Sequence, residues 1–144
     1  MHSTSGLEGR PPSATASLDR FAPYTLSILR IMAALLFLEH GLSKFFGFPS
    51  TTAHHPALFD LEWFAAAIET IGGVLVTLGL FTRAAAFVMS GEMAIGYFMV
   101  HAPQSFYPYI NHGEAAVLYC FVFLLLVFAG PGPWSVDALL HRKR

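Results

Sequence analysis

Four long apolar runs constrain this chain more than any other feature of its sequence. They cover about residues 21–46, 61–81, 84–101 and 113–130. A helix needs about 20 mostly apolar residues to cross the hydrocarbon core of a bilayer, whereas apolar stretches of about 10 to 14 residues suit a buried soluble helix. The four runs therefore predict an all-α integral membrane protein built as a four-helix bundle.

The low content of charged residues supports this class. Only 12% of the residues are Asp, Glu, Lys or Arg, whereas soluble domains average about 25%. The formal net charge is −1, so the overall charge indicates no nucleic-acid partner. The single cysteine, Cys120, excludes an internal disulfide and any CxxC redox pair.

The polar ends of the sequence predict two tails, one before and one after the membrane domain. Residues 1–20 are rich in Ser, Pro and Gly and predict a disordered cytoplasmic tail. Residues 21–131 form the predicted four-helix domain, and a GPGP sequence ends its last helix. Residues 132–144 predict a cytoplasmic interfacial tail with a short amphipathic helix.

The basic residues near the apolar runs predict the orientation, because Lys and Arg concentrate in cytoplasmic loops. Arg10 and Arg20 precede the first run, Arg83 lies between the second and third, and the chain ends in a basic cluster. The two other loops contain no Lys or Arg, apart from Lys44 at the end of the first run. We therefore expect an inner-membrane protein with both termini in the cytoplasm.

Each apolar run carries at least one glutamate, and a charge at the bilayer centre costs about 2.5 to 3.5 kcal/mol on insertion scales. A rise of about 1.5 Å per residue places Arg30, Glu69 and Glu92 in one layer near the midplane. In one interpretation Arg30 pairs with Glu69 or Glu92 and holds the helices together. In the other, the same residues line a pocket for a substrate, a quinone or a proton.

Angular position along each helix, at about 100° per residue, groups these residues by face. Arg30, Gly41 and Lys44 share one face of the first helix, whereas Glu39 falls on the opposite face, where it would meet another helix or an oligomer contact. On the second helix Ala66 shares a stripe with Glu69. Small residues beside a glutamate let helices approach closely and bury the polar group.

A pocket of this kind would use two sets of side chains. Some of the glutamates are expected to be protonated or paired, because a cluster of unpaired carboxylates is unfavourable in a low dielectric. The candidates for proton transfer are His40, Glu69 and Glu92. The candidates for binding a substrate are Arg30, Lys44, His101, His112 and Glu114.

The histidines suggest a metal-handling alternative, because imidazole suits zinc and copper. His54, His55, His101 and His112 all lie in or near the loops predicted to face outward. Their spacing is not that of a diagnostic metal motif, so the sequence assigns no metal ligand.

Several motifs, taken in order, resemble the DoxX family of small four-helix membrane proteins. The first helix ends in HGLSKFFGF at 40–48, similar to the family's HG-x-x-K-hydrophobic-FG signature, and Arg30 matches an arginine early in that helix. The second carries ETIGGVLVTLGLFTRAAA at 69–86, and the fourth begins with NHGE at 111–114. The resemblance covers about residues 26–140 and includes the closing GPGPWSVDALL.

The resemblance implies a membrane-embedded four-helix bundle and a link to redox chemistry. Relatives are associated with thiosulfate:quinone oxidoreductase and with oxidoreductase complexes of oxidative-stress defence, and distant ones with cargo export or receptor assembly. Our first hypothesis is therefore a membrane subunit of an oxidoreductase system, with no intrinsic cofactor, a quinone as ligand and a soluble redox partner.

Two other hypotheses stand beside the first. One is a non-catalytic carrier, transporter component or assembly factor, in which the same charges hold helices together and recognise a partner or solute. The other is the metal-handling protein. The hypotheses differ on whether the chain is itself an enzyme, and all of them place it in a lipid bilayer, where homo-oligomers are a further expectation.

Overall fold

The computed structural model describes residues 18–49 and 55–142, and the regular structure within these ranges is helical, with no strand. The helices are α1 (Ala22–Phe46), α2 (Leu61–Leu78), α3 (Thr82–Gly96, continued by a π-helical turn over Tyr97–His101), α4 (Pro108–Asn111), α5 (Glu114–Ala129) and α6 (Val136–His141). Most of the predicted N-terminal tail lies outside the described residues. The division of the chain at residues 20 and 131 stays a prediction.

Three segments are long and apolar enough to cross a membrane: α1, α2 and the continuous helical stretch Thr82–His101. Helix α5 is apolar but has 16 residues. Large apolar side chains cover the outside of these helices, and Met32, Ile71 and Phe121 are all more than half exposed. Such a surface suits lipid rather than water, so the prediction of an all-helical, membrane-spanning chain is confirmed.

The four long helices pack as two pairs. Helix α1 packs mainly on α2 and α3 mainly on α5, and contacts between α2 and α3 join the pairs. The core where they meet contains the buried side chains of Phe37, Val76, Met89 and Phe123. The rings of Phe37 and Phe123 meet edge to face with their centroids 4.9 Å apart, an arrangement that aromatic pairs prefer.

Two glycines set the close approach of α1 and α2. A Cβ atom at Gly41 would lie 2.7 Å from the backbone nitrogen of Thr70, and one at Gly73 would lie 3.0 Å from the Cα of Leu38. Both neighbours are backbone atoms, which cannot turn aside as a side chain can. The small residues predicted to bring helices together therefore lie at a helix interface.

Arg30 closes the end of the molecule where α1 begins and α2 ends. Its guanidinium is fully buried and donates hydrogen bonds to the backbone carbonyls of Val76 and Thr77 in α2 and of Pro131 and Trp134 after α5. The last carbonyls of a helix have no partner within that helix. Arg30 therefore satisfies the end of α2 and binds residues 131–134 to α1, an arrangement that we call the Arg30 clasp.

The predicted pairing of Arg30 with Glu69 or Glu92 is therefore wrong. The depth estimate counted backbone positions, but helical side chains lean toward the N-terminus of their own helix, and the arginine side chain is long. Arg30 reaches carbonyls that lie roughly two helical turns beyond Glu69, where the backbone already supplies acceptors.

Arg83 binds the last carbonyls of α5, as Arg30 binds those of α2. It donates to the carbonyl of Phe128 over 2.8 Å and also to that of Val127, both in the last turn of α5. A cation at this position also complements the negative end of the helix dipole. Arg30 and Arg83 are thus each bound by carbonyls at the C-terminus of another helix.

Asp137 in α6 caps the start of α3. Its carboxylate accepts hydrogen bonds from the backbone N–H groups of Phe81 and Thr82, each over 3.0 Å. Burial acts to raise the pKa of Asp137, but these hydrogen bonds outweigh burial and hold the pKa below its usual value. The short helix predicted in the C-terminal tail is thereby docked on the turn between α2 and α3.

Replacing Gly41 with alanine is expected to destabilise the protein by about 1 to 3 kcal/mol, because the new methyl group overpacks a rigid interface. Gly91→Ala is the matched control, since a Cβ atom at Gly91 has no neighbour within 4 Å. Thermal unfolding of both variants in detergent measures the difference. Equal melting temperatures for the two variants would contradict the close packing of α1 on α2.

Candidate functional site

A cavity of about 940 Å³ lies at the end of the helices opposite the Arg30 clasp. Four helices contribute to its wall: α1 near its end, α2 near its start, α3 near its end and α5 near its start. Ligand pockets commonly measure about 300 to 1,000 Å³. The cavity is therefore large enough for a small organic molecule.

The cavity wall contains an ion pair between α1 and α2. The Nζ atom of Lys44 lies 2.8 Å from the Oε1 atom of Glu69, and the two side chains are 26% and 4% exposed. Gly41 and Ala66, each three residues before one member of the pair, are both buried and allow the close helix approach that the pair needs. The second oxygen, Glu69 Oε2, is buried and has no hydrogen-bond partner in the described part of the chain.

Glu92 of α3 adds a second carboxyl, on a half-buried side chain. Its Oε2 atom likewise accepts no hydrogen bond from the residues that the structure describes. Glu62, at the start of α2, is exposed and lines the same cavity. With all three glutamates ionised and Lys44 protonated, these side chains would carry three negative charges and one positive charge. The wall is therefore rich in acceptor groups that the described residues leave free.

Two histidines in the wall are held in a defined orientation. The Nδ1 atoms of His40 and His101 each lie 2.9 Å from a backbone carbonyl oxygen, that of Leu36 and that of Asn111. A carbonyl can only accept, so each Nδ1 carries the proton, and the Nε2 of a neutral ring is left as an acceptor. The His40 ring also meets that of Tyr119 edge to face, with 6.0 Å between centroids.

The remainder of the wall is mostly apolar and partly aromatic, with Phe37, Ile68 and Tyr119 among its members. Tyr119 was not among the predicted site residues. Its neighbour one turn on, Phe123, is buried, but α5 is apolar on all sides, so its sequence does not indicate which face meets the other helices.

The cavity reaches the molecular surface between α2 and α3. Phe64 on α2 and Phe87, Ile95 and Met99 on α3 all line the cavity, yet they are 50%, 66%, 58% and 54% exposed. A side chain that is exposed and also lines a cavity lies at its mouth. The mouth is thus formed by apolar side chains of two helices.

The structure brings most of the predicted site residues together in this one cavity. Those that line it are His40, Lys44, Glu69, Glu92, His101 and His112. Arg30 does not, because backbone carbonyls bind it at the opposite end of the molecule. Glu114 does not either, and lies exposed as the first residue of α5. The proposed roles in proton transfer and substrate binding stay predictions.

Other residues considered from the sequence lie apart from the cavity. Glu39 is exposed on α1, in agreement with its predicted face. Within residues 18–49 and 55–142, no three side chains of His, Cys, Asp or Glu are close enough to hold a metal ion. His54 lies outside the described residues. His55 donates from Nδ1 to the backbone carbonyl of Lys44 over 2.9 Å.

Comparison with known proteins gives one family and several relatives. The DoxX family model matches residues 25–102. A protein of Haemophilus influenzae is 42% identical over 132 residues, which are 88% of this chain and 98% of the relative. The inner membrane protein YqjF of Escherichia coli K12 is 28% identical over 128 residues, 81% of this chain and 92% of YqjF. CatD of Bacillus subtilis, provisionally named an oxidoreductase, is 42% identical over 59 residues, 39% of this chain and 44% of CatD. No solved structure matches the chain.

Removing Lys44 alone is expected to destabilise the protein more than removing the whole ion pair. Lys44→Met leaves the Glu69 carboxylate buried without a counter-charge, at an expected cost of about 3 kcal/mol. Adding Glu69→Gln removes that charge and should restore most of the lost stability. Thermal unfolding of the single and double variants in detergent, with Glu39→Gln as a control, measures this. A double variant no more stable than Lys44→Met would contradict the importance of the uncompensated charge.

Proposed function

Because the chain belongs to the DoxX family and is a membrane protein, we propose that it is the membrane subunit of a quinone-linked oxidoreductase system in the inner membrane. The observation that carries the proposal is the cavity, which combines an apolar, partly aromatic wall with an ion pair, a further carboxyl and two oriented histidines. Pockets for small organic ligands commonly combine an apolar wall with a few placed polar groups.

The residues of the cavity fit a quinone ring. A quinone is flat and largely apolar, carries two carbonyl oxygens, and takes up two electrons and two protons when it is reduced. Lys44 supplies a cationic donor for a ring oxygen, and Phe37 and Tyr119 supply aromatic surface for the ring. Glu92 and His40 supply groups that can hold or release a proton.

The mouth between α2 and α3 supports a ligand that is dissolved in the bilayer. The side chains at this mouth are apolar and at least half exposed, namely those of Phe64, Phe87, Ile95 and Met99. With α2 and α3 in the membrane, this mouth faces the lipid tails rather than water. A quinone with an alkyl tail would enter sideways through it, and its tail would remain in lipid.

Electrons for this reaction come, in our proposal, from a soluble redox partner. The partial relative CatD carries an oxidoreductase name, and YqjF is named an inner membrane protein. Both names agree with a membrane subunit that works beside a redox protein. In this arrangement the chain binds the ring, orients it and handles protons, while the partner supplies the two electrons.

We further propose that all four long helices cross the membrane with both termini in the cytoplasm. Helix α5, with 16 residues, would be about 24 Å long, and slight local thinning of the bilayer accommodates a short span. Arg20, Arg83 and Arg142 all lie toward the end of the molecule that holds the Arg30 clasp, which favours that end as the cytoplasmic one. The cavity then lies in the outer half of the bundle.

Cysteine labelling tests this orientation. In a Cys120→Ser background, a cysteine at exposed Tyr109, between α3 and α5, is expected to react with a membrane-impermeant maleimide in intact spheroplasts. A cysteine at exposed Leu139 in α6 is expected to react only after lysis, because it would face the cytoplasm. The reverse pattern, or labelling of both in intact spheroplasts, would contradict the proposed orientation.

Filling the cavity tests the binding function. A Cβ atom added at Gly91 meets no neighbour within 4 Å, and Gly91 lines the cavity. Gly91→Phe is therefore expected to keep its thermal stability while lowering affinity for a decyl-substituted benzoquinone by about tenfold or more. Ile71→Phe, on the exposed surface of α2, is the matched control and should bind like the unsubstituted protein. Equilibrium titration in detergent measures the affinities. Binding of neither the quinone nor its reduced form, or equal binding by both variants, would overturn the proposed function.

A further inference from the structure

We infer that the cavity selects the reduced, hydroxyl-bearing form of the ring, a hydroquinone-type diphenol, over the corresponding quinone. This inference rests on the proposed function and specifies its ligand further. It follows from the hydrogen-bonding groups that the wall leaves free, which include acceptors that a quinone, itself only an acceptor, cannot use. A quinone oxygen only accepts hydrogen bonds, whereas a phenolic hydroxyl both donates and accepts.

Glu69 is the first of these groups. It is only 3% exposed, and its Oε1 is taken by Lys44 at 2.8 Å. Its Oε2 is buried and accepts no hydrogen bond from the described residues. An ion-paired carboxylate can only accept, and a buried acceptor without a partner costs free energy. Glu69 lines the cavity, so a ligand that donates to its carboxylate reduces this cost, and a quinone carbonyl cannot do so.

The other free groups in the wall point to the same kind of ligand. Glu92 Oε2 is buried without a partner among the described residues. His40 and His101 both use Nδ1–H on a backbone carbonyl, which leaves Nε2 of each neutral ring as an acceptor. Against these acceptors, Lys44 is the one lysine or arginine among the described residues of the wall. The wall therefore contains several free acceptors, and a quinone has no hydrogen-bond donor for any of them.

The arrangement of Lys44 beside Glu69 favours a neutral hydroxyl over a charged group. Lys44 carries three N–H donors, and Glu69 Oε1 takes one of them. A hydroxyl placed there accepts from Lys44 and donates to the Glu69 carboxylate, since both residues line the cavity. An ammonium group cannot accept from Lys44 and is repelled by it, and a carboxylate or phosphate meets the negative charge of Glu69. A phenolic hydroxyl on an apolar ring satisfies both partners and the aromatic wall.

Three related ligands test the inference by equilibrium binding, without any turnover. Decyl-hydroquinone, the matching decyl-benzoquinone and the dimethyl ether of the hydroquinone are titrated anaerobically into the purified protein in detergent. The hydroquinone is expected to bind about tenfold or more tightly than the quinone, the effect expected of one hydrogen bond to a charged acceptor. The ether, which cannot donate, is expected to lose that advantage.

Three variants test which side chains cause the difference in affinity between the hydroquinone and the quinone. Glu69→Gln and Glu92→Gln each replace an acceptor with an amide that can donate to a quinone oxygen, so each is expected to bring the two affinities to within about threefold. Glu92→Gln keeps the Lys44–Glu69 pair, so it remains informative if Glu69→Gln does not accumulate. Glu39→Gln, on the exposed face of α1, should leave the ratio unchanged.

The outcomes separate this inference from the proposed function. Binding of neither ring form would overturn both. Binding of the quinone as tightly as the hydroquinone, or more tightly, would overturn the selection of the reduced form and leave the proposed function intact. Displacement of bound hydroquinone by a phenylalkylammonium of similar size, at equal or higher affinity, would also overturn the inference, because it would show that the wall selects positive charge.

Discussion

The architecture depends on satisfying the backbone carbonyls at helix ends, which have no partner within their own helix and cannot turn to water inside a bilayer. Arg30 meets this need for α2 and Arg83 meets it for α5. Because each arginine belongs to a different helix from the carbonyls it binds, each fixes the position of one helix end relative to another. At this end of the molecule the last carbonyls of both helices thereby have hydrogen-bond partners.

At the opposite end of the molecule, the charged side chains are only partly hydrogen-bonded. Arg30 is surrounded by neutral carbonyls that use its donors, so it is a structural charge. Lys44 and Glu69 satisfy each other only in part, because Glu69 Oε2 and the neighbouring Glu92 Oε2 are buried without partners in the described chain. A membrane interior tolerates such groups at high cost. Their concentration around one cavity is the reason to regard that end as a binding site.

The sequence predicts the helices well and their hydrogen bonds poorly. Hydropathy placed the first run at residues 21–46 against an observed helix Ala22–Phe46, and the fourth at 113–130 against Glu114–Ala129, because apolar length is itself the physical requirement for crossing a bilayer. Helical periodicity likewise placed Lys44 and Glu69 toward the bundle interior. The partners of Arg30 could not be predicted, because backbone carbonyls carry no residue identity, and the face of α5 that bears Tyr119 is not distinguished by polarity.

The Arg30 clasp also ties α1 to a segment that is synthesised much later. Arg30 and Pro131 are 101 positions apart, so during translation α1 enters the membrane long before its carbonyl partners at residues 131–134 exist. Until then only the carbonyls of Val76 and Thr77 in α2 can bind the guanidinium, and its Nε and Nη2 donors lack their partners. The clasp is therefore complete only when residues 131–134 have been synthesised, and a chain interrupted before that point would leave these two donors without partners.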